Sequence, residues 1–440
     1  MSTPAALYRN AIDLNRYSNS VAKRVIVAYN DIIIDAVRQL QMLLPDAGGG
    51  GPLTITAPAK AARLRSILAQ LKESLGTWAG DAAGLTAIEL QGLAELQSEF
   101  VTEQLRKVLP AGVRDAVNTV AISPQFAQSV VTTDPTQLNV VALSDDLFKS
   151  VYGTEALAQQ AGSGAFGLTA ARGTAITLPN GEVISKAFRG IAVDQAERFS
   201  QVVRNGLLTG ETTQSIAKRL IGSLEIGPIR PEDSVRQLIG GLRFGEEARS
   251  VRQLAAAGGQ LTAATDNQIL ALVRTSISQV ANTASQQAYE ANQDITKKYR
   301  YVATLDSRTS SICAALDGRE FEYGMGPTPP QHFNCRSTTV PVIDYKQLSE
   351  EFGFTVEPPA VGTRAAAGGM VPANTNYGQW LAEQPSKTKI DALGTSRVPY
   401  FDKLVDKYGA RDAMAKLVRD DGSELTLEQL QRRYGAVKEG

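Results

Sequence analysis

Histidine, cysteine and net charge are what this chain of 440 residues has least of. One histidine and two cysteines are too few for a secreted disulfide framework. Forty-five basic residues balance 45 acidic ones, a formal net charge of zero. That excludes a bulk electrostatic footprint for nucleic acid or anionic membrane and leaves only local contacts. No uncharged apolar run reaches the roughly 18 residues of a membrane span, and "MSTPAALYRN" lacks the basic-then-apolar order of a secretory leader. The expectation is a cytoplasmic product without a membrane anchor. Aromatics are sparse at 6%, whereas 43% hydrophobic and 20% charged residues describe an ordinary globular chain, long enough for two or three domains with their own cores.

Helical periodicity dominates. Leu14, Tyr17, Val21, Val25, Tyr29, Ile32, Ala36 and Leu40 step by three and four, which places them on one helical face. "LLPDAGGGGPL" ends that helix in a flexible linker. A second run from Leu64 to Trp78 and a third from Leu85 to Leu109, stopped by Pro110, follow. Their stripes are core faces. "GSGAFG" at 162 to 167 has dinucleotide-loop spacing but no strand before it, so it reads as a loop. Asn180-Gly181 signals a hairpin turn. "TTQSIAKRLIG" starts at a Thr cap and ends at Gly222. A long helix is predicted from about Asp266 to Lys298.

The period then changes. Tyr299, Tyr301, Ala303 and Leu305 alternate as in a strand, Asp317-Gly318 forms a hairpin-type turn into "REFEY", and "TTVPVI" is a third strand, marked as an edge by Pro341. The fold class is therefore α+β and predominantly helical, with long helices followed by a small antiparallel β element. In its loops lie all the scarce residues, Cys313, His332 and Cys335. Thr426 with Gln429 makes a capping box near the end of the chain.

The stretch "YRYVATLDSRTSSICAALDGREFEYGMGPTPPQHFNCRSTTVPVI" resembles the signature of the phage Mu F-like head morphogenesis family, the minor capsid proteins of tailed phages. The resemblance is carried by Arg274-Thr275, the run Asp306, Ser307, Arg308 and Thr309, then Leu316-Asp317-Gly318, and H-x-x-C-R from His332 to Arg336. It covers about 185 to 345, with a C-terminal tail similar to one found on such proteins. The implied boundaries are an N-terminal helical region (1–110), a loosely structured connector with a hairpin (111–184), the head morphogenesis domain (185–345) and a tail of short helices (346–440). The resemblance implies a structural protein, not an enzyme. It would join the virion head near the portal after assembly in the host cytoplasm, with the portal protein and the major capsid or scaffolding protein as partners and packaged DNA as a local contact.

Relatives often carry further cysteines where this chain has Ser310 and Ser337. Serine is a poor zinc ligand. Three states thus stay open for Cys313, His332 and Cys335: a zinc site completed by Asp306 or Asp317, a Cys313–Cys335 disulfide, or two packed thiols. A Cys/His hydrolase and a metal-binding interaction module are the alternative functions. For the hydrolase, no activating helix N-terminus or glycine-rich oxyanion loop is evident beside Cys313. Asp306 with Arg308, and Asp317 with Arg319, are expected to form exposed pairs that hold the loops, each worth about 0.2–1 kcal/mol.

Overall fold

The periodic runs of the N-terminal half form two helices of unusual length, α1 (Thr3–Leu43) and α2 (Pro58–Arg106). The structure is a computed structural model that describes residues 3–44, 58–109, 111–122, 178–224, 259–353, 355, 357–358, 361–420 and 422–437. The glycine-rich linker, the "GSGAFG" loop and most of the connector lie outside the described residues. Where two helices were predicted between Leu64 and Leu109, α2 is continuous. The stretch between the two apolar runs supplies Ala79, Ala82 and Ala83, all buried, and alanine is the best helix former even without large side chains to mark a period.

Two further helices follow, α3 (Ile184–Leu208) and α4 (Thr213–Ile221). The Thr212 hydroxyl accepts from the Ser215 backbone N–H and Gly222 closes α4 at φ +60°, as the sequence predicts. Asn180-Gly181 does turn the chain, with Gly181 at φ +79°, but it leads into α3 rather than a second strand. The long helix α5 runs Gln260–Glu290 and stops short of Lys298. Asn292 accounts for that stop. Its amide donates to the Ala288 carbonyl at 2.7 Å and accepts from the Asn118 N–H at 2.7 Å, holding the chain where the helix ends.

Helices α1, α2, α3 and α5 share one core. Trp78 lies at its centre, 5.4 Å from Tyr29 and 5.8 Å from Phe188 between ring centroids, and its indole N–H donates to the Val25 carbonyl. Burying such rings is the largest local gain, about 1.5–3 kcal/mol per large apolar side chain.

After α5 come β1 (Thr296–Val302), α6 (Ser311–Leu316), β2 (Glu320–Glu322) and β3 (Thr338–Ile343). The antiparallel sheet has order β2-β1-β3, so Pro341, opposite Tyr299, sits on an edge strand as predicted. Asp317-Gly318 joins α6 to β2 and not two strands, with Gly318 at φ +82°. Beyond α7 (Tyr345–Phe352), the hairpin of β4 (Thr363–Ala366) and β5 (Gly369–Pro372) precedes α8 (Tyr377–Ala382), α9 (Ser386–Leu393), α10 (Val398–Tyr408), α11 (Ala410–Ala413) and α12 (Leu427–Tyr434). Trp380, Phe401 and Leu430 centre their separate core, and the Thr426–Gln429 capping box opens α12.

Among the described residues, a fully buried charge-bearing group lies inside the helical core. Asp266 of α5 is fully buried, its Oδ2 is 3.4 Å from the Asn30 amide, and Oδ1 has no hydrogen-bond partner. Burial pushes its pKa from 3.8 up to about 7, opposed by the Asn30 amide. The folded state therefore holds a proton that the unfolded chain releases near pH 4. Stability is fully present at acid pH and falls as pH rises from about 4 to about 7, by at most about 4 kcal/mol for a shift of this size. Thermal melts across this range should show the decline, and Asp266→Asn should flatten it and raise Tm at pH 8.

Candidate functional site

Two short pieces of chain bring the scarce residues together. Ser310 caps α6, its hydroxyl accepting from the Cys313 N–H at 3.4 Å. Cys313 thus lies in the first turn of a helix, a feature not evident from the sequence because α6 has only six residues and no apolar period. The second piece is the turn from His332 to Cys335, closed by the Cys335 N–H on the His332 carbonyl at 3.1 Å. Asn334 takes φ +61°, a conformation that asparagine tolerates better than most residues. Its N–H donates to the Thr275 hydroxyl of α5 at 3.0 Å, which anchors the turn to the long helix.

The result is a tight cluster. Cys313 Sγ lies 3.6 Å from Cys335 Sγ and 3.3 Å from His332 Nε2, and the three ligand atoms fall within 4.8 Å of one another. The Ser310 hydroxyl is 2.7 Å from His332 Nε2 and the Tyr301 hydroxyl 3.2 Å from Cys313 Sγ. His332 Nδ1 lies 2.8 Å from the Phe333 carbonyl, which can only accept. The ring proton therefore belongs on Nδ1, and the Nε2 lone pair faces the sulfur.

The two thiols, both buried, titrate as a pair. Hydrogen bonding from Cys335 pulls Cys313 down to about 6 against the opposing effect of burial, helped by the hydroxyls of Ser310, Ser337 and Tyr301. The same contact with Cys313, and then burial, push Cys335 up. A cavity of about 40 Å³ adjoins Cys335, Arg274 and Ser337. Small-molecule sites measure roughly 300–1,000 Å³, several times this volume.

The remaining motif residues serve as fasteners. Asp306 receives both guanidinium nitrogens of Arg336, at 2.5 and 2.7 Å, whereas Arg308 stands off at 3.6 Å. The expected Asp306–Arg308 pair is the minor one. Burial raises the Asp306 carboxyl, but Arg336 outweighs it and the pKa falls below the ordinary value. Asp317 does not pair with Arg319, which stacks over Phe321. It is buried and pairs with Arg364 at 3.1 Å, accepting also from the backbone N–H groups of Ala303 at 2.7 Å and Tyr377 at 2.6 Å. Neither aspartate joins the ligand atoms around Cys313. Gly318 turns beside Asn376, where a Cβ would lie 3.2 Å from the asparagine Cβ. Arg274 donates twice to Asn19 of α1, at 2.9 and 2.6 Å.

Sequence reasoning missed Arg364, Tyr377, Tyr301 and Asn19. Arg364 lies 47 residues from Asp317, and no local pattern links them. Removing one partner of a buried pair strands the other charge and costs about 3–5 kcal/mol, while exposed pairs cost about 0.2–1 kcal/mol. Urea unfolding should therefore show Arg364→Ala losing several kcal/mol and Arg308→Ala less than about 1.

Comparison with known proteins agrees with this map. The family model described as "Phage Mu protein F like protein" matches residues 197–340, from α3 to β3, including Asp306, Asp317 and the cluster. An "Uncharacterized protein" of Haemophilus influenzae is 35% identical over 97 residues. That match covers 21% of this chain and 21% of the relative. No solved structure matches. Residues 197–340, about a third of the chain, thus resemble the phage Mu F-like family.

Proposed function

We propose that the chain is a minor head protein of a tailed phage, built into the procapsid beside the portal, where it assists head morphogenesis or genome delivery. The observation that carries this is the Mu F-like match over 197–340. The geometry supports a structural role. Arg274, Asp306, Arg336 and Asp317 are all engaged in contacts within the chain, and the cavity at the cysteine cluster is too small to take a substrate. Among the described residues no helix is long and apolar enough to cross a membrane. The portal protein and the major capsid or scaffolding protein are the partners, first in the host cytoplasm and then in the virion. With zero net charge, contact with packaged DNA is confined to a local patch.

Quantitative mass spectrometry of gradient-purified particles tests this reading. The chain should co-purify with portal-containing heads and persist in finished virions at low copy. Its absence from every particle form would remove the head-protein assignment.

A further inference from the structure

The tight convergence of Cys313, His332 and Cys335 has a geometry of its own. In a tetrahedral zinc site with Zn–S near 2.3 Å and Zn–N near 2.0–2.1 Å, two sulfurs stand about 3.8 Å apart and a sulfur and a nitrogen about 3.6 Å. The corresponding separations here are 3.6 Å between the sulfurs and 3.3 Å from Cys313 Sγ to His332 Nε2. We infer that Cys313 Sγ, Cys335 Sγ and His332 Nε2 are three ligands of a structural zinc site, with the Ser310 hydroxyl or a water at the fourth corner.

Each neighbouring contact suits that role. The His332 Nδ1–H donates to the Phe333 carbonyl, the outer contact that fixes the tautomer and directs Nε2 at a metal. The turn carrying His332 and Cys335 is fastened to α5 through Thr275, and Cys313 is held by the Ser310-capped turn, so the ligands are placed by backbone rather than by mobile side chains. Charge also balances. With zinc bound, two thiolates and a neutral imidazole leave the site with zero net charge, as a buried position demands.

Ser310 distinguishes this site from one with four soft ligands. Its hydroxyl lies 2.7 Å from Nε2, and a serine hydroxyl binds zinc weakly. A disulfide is the competing state. It would require the sulfurs to close from 3.6 Å to about 2.05 Å.

The inference does not depend on the head assignment, and its test is carried out on the purified full-length chain. Elemental analysis after zinc loading and desalting should find one zinc per chain, removable by chelator. Cobalt loading should give visible bands of tetrahedral Co(II) together with near-ultraviolet thiolate charge transfer. Both signals should disappear in Cys313→Ser/Cys335→Ser, and His332→Gln should weaken the visible bands. The wild-type measurements stand even where a variant fails to fold. Failure to retain zinc together with no cobalt spectrum in reduced protein would overturn the site. So would protein purified without reductant that shows no titratable thiol after denaturation, which identifies the disulfide.

Discussion

One buried ion pair links the chain after β1 to the start of the tail and to the first helix. Asp317 is held by the Arg364 guanidinium and by the N–H groups of Ala303 and Tyr377, so every contact it makes is with a donor. Burial raises its pKa, and Arg364 with the two backbone donors pulls it back. Arg364 also donates to the carbonyls of Ala303 and Thr375 and lies over the Tyr8 ring, 5.5 Å from its centroid. One guanidinium therefore touches β1's continuation, the start of α8 and the first helix of the chain. Buried pairs contribute little net stability compared with apolar packing but exclude other arrangements, because any displacement strands a charge. On that basis we assign the pair the job of fixing how the tail sits on the Mu F-like region.

A second set of contacts ties the loops of that region to the helical core. Thr275 and Arg274 are adjacent on α5, one holding the His332–Cys335 turn and the other Asn19 of α1. Asp306 gathers Arg336 through its carboxylate and the Tyr377 hydroxyl through its carbonyl. The residues that mark the family resemblance thus mark points where irregular backbone is fastened. Loops carry many backbone groups without regular partners, which is why polar side chains concentrate there.

How far the sequence could be read follows from the range of the interactions. Helical stripes, the Thr212 and Thr426 caps, the edge proline and the grouping of Cys313, His332 and Cys335 were legible, since each rests on a spacing of a few residues. The continuity of α2 through its alanines was not, because small residues leave no hydrophobic period. The end of α5 at Glu290 depends on Asn292 meeting Asn118, a contact across 174 residues. Asp317 was assigned to Arg319 for the same reason. Proximity along the chain favours the neighbour, while the fold supplies Arg364.

The cluster and the ion pair are coupled through the shortest element between them. Helix α6 has six residues, well below the roughly 12–15 at which an isolated helix becomes even marginally stable, so its position must be imposed from outside. Its first turn carries Cys313 and its C-cap is Asp317. The N-terminal end is held by the Ser310 cap and the contacts of Cys313 with His332, Cys335 and Tyr301, the C-terminal end by Arg364 and the Ala303 N–H. Tyr301 and Ala303 belong to a single extended run of chain, so both ends of α6 are measured against the same strand. Loosening either end would therefore shift the other, which explains why residues so far apart in chemistry, a thiol cluster and a salt bridge, occur within five positions of one another.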